Sequence, residues 1–169
     1  ENLVTFPQDE EGPEMNGADI LVTALEREGV EIVFAYPGGA SMELHQSLTK
    51  SQKIRTILPR FEQGGGFMAH GYARATGEPM IAIVHNLVGL LHAPMGVYYA
   101  YLDRAPVFII GATGPVAEPK RRPYIDWIHS ANVQGQLLRD YVKWDAQPAT
   151  VDYVPDAFAR AYSVMMTAR

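Results

Sequence analysis

The stretch from Glu31 to Ala40 reads EIVFAYPGGA, and it contains the change from strand to turn on which the fold prediction rests. Its first six residues are mostly β-branched or aromatic, which favours a strand, and the proline and two glycines that follow end the strand. Apolar residues at helical spacing precede it at residues 20–25, and a second helix fits residues 41–50. A strand between two helices is typical of an α/β protein.

The rest of the chain repeats this alternation of strand and helix. Further strands are predicted at residues 54–58, 80–84, 107–110 and 141–144, and further helices at residues 62–76, 90–102, 125–138 and 155–167. The strands are apolar throughout rather than at alternate positions, which is expected where helices cover both faces of a sheet. We therefore predict an α/β domain at residues 15–169, with an open parallel sheet and helices on both faces, after a disordered tail at residues 1–14.

Length and composition narrow the class of protein. At 169 residues the chain has the size of one domain, and its net charge of −5 is unlike that of a nucleic-acid or anionic-membrane binder. The chain has no cysteine, which excludes disulfides, thiolate chemistry and cysteine-ligated metal centres. No apolar run approaches the ~20 residues of a membrane span, and we expect a cytoplasmic protein.

Open parallel sheets bind ligands beyond the carboxyl ends of their strands. The turn that follows the first strand, Pro37-Gly-Gly-Ala40, lies at such an end. It is either a tight turn between strand and helix or a place where a ligand approaches the backbone closely. It matches neither G-x-G-x-x-G nor a Walker loop, so no phosphate cradle is indicated.

Glu62 lies after the second predicted strand and just before Gln63 and three glycines. One interpretation is a glutamate that stabilises the positive end of a helix dipole. The other is a carboxylate poised for proton transfer, because glycine is a poor helix former and is tolerated where another backbone or a ligand packs closely. The spacing alone favours neither interpretation.

Histidines are the other candidates. His85 ends the third predicted strand and is followed by Asn86 and Gly89, a position that favours function somewhat more than for an average histidine. His70 is predicted to lie on the surface, and His92 in the core or at an interface. No metal site is predicted, because the Asp and His residues lack the spacing of metal ligands.

Two stretches carry a specific resemblance. Residues 33–44 read VFAYPGGASMEL, and residues 58–77 read LPRFEQGGGFMAHGYARATG. In this combination they resemble the N-terminal, pyrimidine-binding domain of thiamine-diphosphate-dependent enzymes, and most of all that of acetolactate (acetohydroxyacid) synthase large subunits. The resemblance implies a lyase or transferase that decarboxylates or ligates 2-oxo acids.

The resemblance also implies site residues. Glu62 would bind N1′ of the cofactor's aminopyrimidine and so promote removal of the proton from thiazolium C2. The neighbouring turn would border the same cleft. Its implied cofactor-binding residues are Tyr36, Pro37, Gly38, Gly39 and Ala40.

Two segments depart from the acetolactate synthase pattern. Residues 85–92 read HNLVGLLH where those enzymes usually have T-S-G-P-G-A-T-N, and residues 111–113 read GAT where they usually have T-G-Q. His85 instead resembles the histidine of the H-S-A-A-G segment of benzoylformate decarboxylases, which takes part in proton transfer. We expect His85 to be a catalytic residue beside Glu62, and Asn86 and Gly89 to be further cofactor contacts. The departures also leave open a substrate other than that of acetolactate synthase, namely another 2-oxo acid.

Enzymes of this kind bind the diphosphate and Mg²⁺ through a second domain that carries a G-D-G segment followed by an asparagine, and no such segment occurs here. We therefore expect a domain without its last strand, inactive alone, whose site is completed by a homodimer, a second subunit or another domain. FAD binding stays open, because the family's flavin contacts lie largely in other domains.

Two alternatives come from other classes of protein. The first is a non-catalytic assembly or binding module of the same fold, motivated by the aromatic run at residues 94–101, which is typical of a core or a subunit interface. The second is an α/β nucleotide binder of another kind, which the missing glycine-rich and Walker motifs disfavour.

Overall fold

Four parallel strands form the centre of the structure, a computed structural model that describes residues 15–167. The predicted tail at residues 1–14 lies outside the described residues. In chain order the helices and strands are α1 (Gly17–Arg27), β1 (Ile32–Ala35), α2 (Met42–Lys50), β2 (Arg55–Ile57), α3 (Glu62–Thr76), β3 (Met80–Val84), α4 (Leu87–His92), α5 (Pro94–Asp103), β4 (Val107–Gly111) and α6 (Val154–Met166).

The strand order in the sheet is β2-β1-β3-β4, and every neighbouring pair is parallel. All five residues of β3 are buried, as the apolar pattern predicts for a strand covered on both faces. The edge strands depart from that prediction: in β2, Arg55 and Thr56 are exposed, and β4 is only half-buried. The parallel arrangement places the carboxyl ends of all four strands at one edge of the sheet.

Apolar side chains fill both faces of the sheet, which confirms the predicted fold class. The core on the face of α1, α2 and α6 includes Val22, Leu25, Val33, Ala35, Leu44, Leu48, Ile81, Ile83 and Phe158. The core on the face of α3 consists of Phe34, Ala69, Ala73, Met80 and Ala82. Within residues 15–167, no helix combines the length and apolarity that a bilayer crossing requires.

Helix boundaries follow local signals in the sequence. The Asn16 side chain accepts hydrogen bonds from the backbone N–H groups of Ala18 and Asp19, and so caps α1. The single helix predicted at residues 90–102 is wrong: the segment forms α4 and α5, which meet at Ala93. Pro94 explains the break, because it has no N–H to donate and is well suited to the first turn of a new helix.

The predictions for residues 125–138 and 141–144 are also wrong. Instead of an α-helix and a strand, the described chain has two 3₁₀ segments there, Asp126–Ile128 and Gln134–Tyr141. The Gln134 amide donates to the carbonyl of Ala112 at 2.7 Å, and the Tyr141 ring packs against tyrosines of α5. These tertiary contacts hold the segment against the body of the domain and away from the sheet.

The glycines of α3 allow it to approach α5 closely. A Cβ atom at Gly66 would lie 3.2 Å from the Cα of Gly96, and one at Gly96 would lie 2.9 Å from the Cα of Gly66. The backbones of the two helices therefore touch where they cross. This contact within one chain accounts for Gly66 without a ligand or a partner subunit, and it fixes the helix that begins with Glu62.

Candidate functional site

The candidate site lies at the carboxyl edge of the sheet, where β1 and β3 end side by side. The backbone N–H of Tyr36 donates to the carbonyl of Ile83 at 3.0 Å, which extends the pairing of the two strands by one residue. Beyond this bond the chain turns through Pro37 and Gly38 on one side and through His85 on the other. The two predicted segments are thereby brought together.

Glu62 is the first residue of α3 and is only 7% exposed, which is unusual for a carboxylate. Its Oε2 lies 3.1 Å from Nδ1 of His92. Its Oε1 lies against Gly89, where a Cβ atom would be only 2.7 Å away. The Glu62 carboxylate thus lies buried at a helix N-terminus, with a histidine at one oxygen and a glycine at the other. This arrangement suits a carboxylate that binds a proton-bearing group.

His85 packs against the turn that follows β1. A Cβ atom at Gly38 would overlap the His85 imidazole, so only glycine leaves room for this ring. Nδ1 of His85 is buried and has no hydrogen-bond partner among the described residues. Burial lowers the pKa of His85 below 6.5; the charge of His129 lowers it further, Glu62 acts in the opposite direction, and His45 adds a smaller lowering.

Asn86 follows His85 and is almost completely buried, at 2% exposure. Its Oδ1 is buried without a hydrogen-bond partner among residues 15–167. Since buried polar atoms are normally paired, this unpaired amide oxygen next to His85 is a candidate partner for a polar group.

The chain that follows β4 returns to the same edge. The backbone N–H of Gly114 donates to Oγ of Ser130 at 3.1 Å, which joins the end of β4 to the second half of this connection. The carboxylate of Asp126 accepts the backbone N–H of Arg122 at 2.7 Å and also binds its guanidinium. These bonds support a turn that places the His129 ring 5.6 Å from the ring of His85, between centroids.

The structure joins some of the predicted residues and not others. Gly38 lies against the His85 ring, and Gly89 lies against both the Glu62 carboxylate and Cβ of His85. Gly39 takes no part in these close contacts, since a Cβ atom there would meet nothing within 4 Å. Tyr36, Pro37 and Ala40 lie in the adjoining turn, and their predicted contacts with a cofactor stay predictions.

The histidines outside the predicted catalytic pair are placed differently from expectation. His70 is largely buried and bonds to Asp103 at 2.8 Å, so its prediction as a surface residue is wrong. The His92 side chain is 51% exposed and stacks on Phe61, which excludes the core from the predicted choice of core or interface and leaves the interface a prediction. It is instead a partner of the site carboxylate.

Sequence reasoning missed three histidines of this edge: His45, His92 and His129. His45 carries a usable signal, because it lies one helical turn after Ser41 and its ring nitrogen Nδ1 contacts the Ser41 carbonyl at 2.8 Å. His92 and His129 carry none, since their positions depend on the direction of α4 and on the return of the β4 connection. No group of three or more His, Asp or Glu within residues 15–167 is arranged to hold a metal ion.

Comparisons with known proteins agree on the class of domain. Residues 15–137 match the family model described as "Thiamine pyrophosphate enzyme, N-terminal TPP binding domain". The chain is 44% identical over 153 residues to acetolactate synthase 3, chloroplastic, of Brassica napus, and 43% identical over 153 residues to acetolactate synthase, chloroplastic, of Arabidopsis thaliana. These alignments cover 90% of the chain but only 23% and 22% of the two relatives, so the chain spans less than a quarter of their length.

A solved structure is similar in fold as well. It is the X-ray structure of a candidate thiamin diphosphate-dependent enzyme from Mycobacterium smegmatis, and it superposes with a TM-score of 0.77 at 25% sequence identity. The superposition covers 88% of this chain and 27% of that one. The similarity therefore supports the fold of the four-stranded domain.

Proposed function

Because this chain belongs to the thiamine pyrophosphate enzymes, through their N-terminal TPP binding domain, we propose that it is the cofactor-activating part of an acetolactate synthase-like enzyme that acts on 2-oxo acids. The observation that carries the proposal is the carboxylate of Glu62, which is buried at the carboxyl edge of the sheet with one oxygen against Gly89. Decarboxylation and carboligation are the two reactions this proposal includes, as a lyase or a transferase.

The residues of the cleft fit the aminopyrimidine end of the cofactor. A pyrimidine ring nitrogen needs a carboxyl partner away from water, and Glu62 supplies a buried one. The buried, unpaired Oδ1 of Asn86 is suited to accept an amino N–H nearby. The backbone of Gly38, which carries no side chain, lies against His85.

Thiamine diphosphate supplies an electron sink for the electrons that a 2-oxo acid releases when it loses carbon dioxide. The chain's own part is to bind, orient and move protons. Glu62 would hold a proton at N1′ of the aminopyrimidine, the role implied by its resemblance. His85 would serve protons on the substrate side, since burial lowers its pKa and so favours the neutral imidazole, the form that can act as a base.

The remaining parts of the activity are proposed to lie outside this chain. The diphosphate and Mg²⁺ would be bound by another domain or subunit, and the chain alone would be inactive. Support comes from the share of the relatives that the chain spans, 23% of the first, and from the absence of the G-D-G segment within the 169 residues. A homodimer is the simplest such assembly. Whether the protein binds FAD stays open, and a cytoplasmic location stays a prediction.

The experiment is Glu62→Gln in the intact protein, supplied with thiamine diphosphate and Mg²⁺ and assayed for consumption of pyruvate and other 2-oxo acids. Loss of a residue that transfers a proton costs about 10²-fold or more, and we expect at least that loss. The matched control is Glu43→Gln, an exposed glutamate in the first turn of α2. If the Glu62 variant stays within a few-fold of the wild type while the protein binds the cofactor, the assigned role is wrong.

A second candidate function is a non-catalytic assembly module. It is favoured by the exposed aromatic side chains of α5, namely Tyr98, Tyr99 and Tyr101. Light scattering together with cofactor titration separates the two functions. An intact protein that associates but does not bind thiamine diphosphate would support the module and contradict the enzyme.

A further inference from the structure

The contact between Glu62 and His92 joins a buried group to an exposed one. Glu62 is 7% exposed, whereas the side chain of His92 is 51% exposed. Nδ1 of His92 lies 3.1 Å from Oε2 of Glu62, which is within hydrogen-bond distance. The proposed function makes Glu62 hold a proton and gives His92 no role. A group that exchanges protons away from water needs a path by which those protons arrive and leave.

The His92 ring is held from two sides. His92 is the last residue of α4, and its imidazole stacks on Phe61, with 5.4 Å between the ring centroids and 28° between the ring planes. Phe61 directly precedes Glu62 in the chain. The aromatic ring therefore supports one face of the imidazole while the neighbouring carboxylate holds its Nδ1, and a rotation of the ring would lose both contacts.

The remaining part of the ring faces solvent. Nδ1 lies on a buried carboxylate, and one ring face lies on Phe61. Half of the His92 side chain is nevertheless exposed. The exposed part is therefore the opposite face and the edge away from Nδ1, and Nε2 lies on that edge. An imidazole placed in this way has one nitrogen at the carboxylate and the other towards water.

The chemistry of imidazole suits this placement. A neutral ring carries a hydrogen on one nitrogen and accepts one at the other, and an ionised carboxylate only accepts, so Nδ1 carries the hydrogen while Glu62 is ionised. When Nε2 takes up a proton from solvent, Nδ1 can pass its own proton to Oε2. The carboxylate is then a carboxylic acid, and the ring is neutral again with its hydrogen on Nε2. The reverse sequence returns the proton to solvent.

We propose that His92 is a proton relay between the buried carboxylate of Glu62 and solvent. His92 acts through Glu62 and is therefore a positioning residue: it orients Oε2 and sets the rate at which the carboxylate exchanges protons. This inference deepens the proposed function and rests on it, since a relay matters only where Glu62 exchanges protons with a bound group.

The other surroundings of the carboxylate offer no equivalent path. Oε1 lies against Gly89, which has no side chain to carry a proton. His85 is coupled to Glu62 by charge, but its Nδ1 is buried without a hydrogen-bond partner among the described residues. Within residues 15–167, the contact with His92 is therefore the side of the carboxylate from which an imidazole reaches solvent.

The informative variant is His92→Asn, because it separates the hydrogen bond from the relay. The asparagine amide nitrogen lies close to the place of Nδ1 and keeps a donor for Oε2, but the side chain has no second nitrogen to exchange a proton with solvent. His92→Ala removes both functions and is the second variant. The matched control is His70→Gln, which likewise replaces an imidazole bonded to a carboxylate, that of Asp103, through Nε2.

The first readout needs no cofactor. In ¹⁵N NMR spectra of the histidine rings of the 169-residue chain, Glu62→Gln should shift the Nδ1 signal of His92, because the acceptor changes from a carboxylate to a neutral amide. The ring signals of His70 should stay in place. Unchanged His92 signals in a folded Glu62→Gln protein would show that the contact does not exist in solution, which overturns the relay.

The second readout is the exchange of the cofactor's C2–H for deuterium, in the intact protein loaded with thiamine diphosphate and Mg²⁺ and without a 2-oxo acid. A positioned proton-transferring group contributes about 10²-fold or more, and we expect His92→Asn to slow the exchange at least ~10-fold. Added imidazole should restore much of the rate in both His92 variants and leave the wild type and His70→Gln unchanged. A wild-type rate in His92→Asn, or a slow rate that imidazole does not restore, overturns the relay.

Glu62→Gln in the same exchange assay separates the two proposals. If it does not slow the exchange, the proposed function fails and the relay fails with it. If it slows the exchange while the His92 variants keep the wild-type rate, the relay alone fails. Should one of the two His92 variants not fold, the other decides.

Discussion

Gly89→Ala separates the position of the Glu62 carboxylate from the stability of the fold. In the structure an added Cβ atom at Gly89 would lie 2.7 Å from Oε1 of Glu62, 3.1 Å from its Cγ and 3.0 Å from Cβ of His85. The carboxylate is the far end of a flexible side chain, so it gives way first. The protein should therefore fold with its proton-transferring group displaced.

The size of the effect follows from these distances. Ordinary contact with a Cβ atom begins at 3.4 Å, so Oε1 must withdraw by about 0.7 Å. Since a misplacement of ~1 Å in an active site can cost ~10²-fold, we expect a loss of roughly 10- to 100-fold in the rate of 2-oxo-acid consumption. The free energy of unfolding should change by no more than about 1 kcal/mol, because the better helix propensity of alanine offsets the crowding.

The assay is steady-state consumption of the 2-oxo acid by the intact protein, with urea unfolding followed by circular dichroism on the same preparations. Gly71→Ala is the control, because it lies in α3, away from the cleft, and a Cβ atom there meets nothing within 4 Å. A Gly89→Ala protein with wild-type activity would refute the reasoning, since the carboxylate would then have no need of its observed position. A protein that loses activity only because it unfolds would refute it as well.

Two further predictions concern stability. Gly96→Ala should destabilise the protein by about 1–3 kcal/mol, because its Cβ atom would lie 2.9 Å from the Cα of Gly66 and neither backbone can yield. Gly71→Ala, in contrast, should stabilise the protein by about 1 kcal/mol. The reverse order of the two variants in urea unfolding would contradict the close crossing of α3 and α5. Burial and the charge of His129 lower the pKa of His85 below 6.5, so the unfolded chain protonates this imidazole more readily than the folded chain does, and stability should fall as the pH is lowered from about 6.5. The urea midpoint of His85→Asn should fall less over the same pH range. An equal fall in the variant and the wild type would argue against a lowered pKa of His85.

The fold class was predictable because it depends on local signals that repeat along the chain. The strand predicted from the apolar run of β3 needed no tertiary information and was confirmed. The break before Pro94 was visible too, since proline interrupts a helix, but the apolar pattern hid it. The 3₁₀ segment Gln134–Tyr141 was not predictable, because it is held by hydrogen bonds and ring contacts with distant residues.

The same distinction applies to the site. Glu62 and His85 were predicted because each lies at the carboxyl end of a strand, and the topology of a parallel sheet brings such ends together. Their contacts with Gly89 and Gly38 follow from packing that only the structure shows. His129 lies 44 residues after His85, in a connection without regular periodicity, and its approach depends on the bonds at Asp126.

The segment HNLVGLLH, which departs from the acetolactate synthase pattern T-S-G-P-G-A-T-N, keeps a glycine at its fifth position. That glycine is Gly89, the residue that leaves room for Oε1 of Glu62. The first and last positions, a threonine and an asparagine in that pattern, are here His85 and His92, and both interact with Glu62. The departure therefore leaves the space for the carboxylate intact and replaces two uncharged polar groups around it with imidazoles. What differs from the acetolactate synthase pattern at this edge of the sheet is the kind of side chain around Glu62, whereas the glycine that leaves room for its carboxylate is retained.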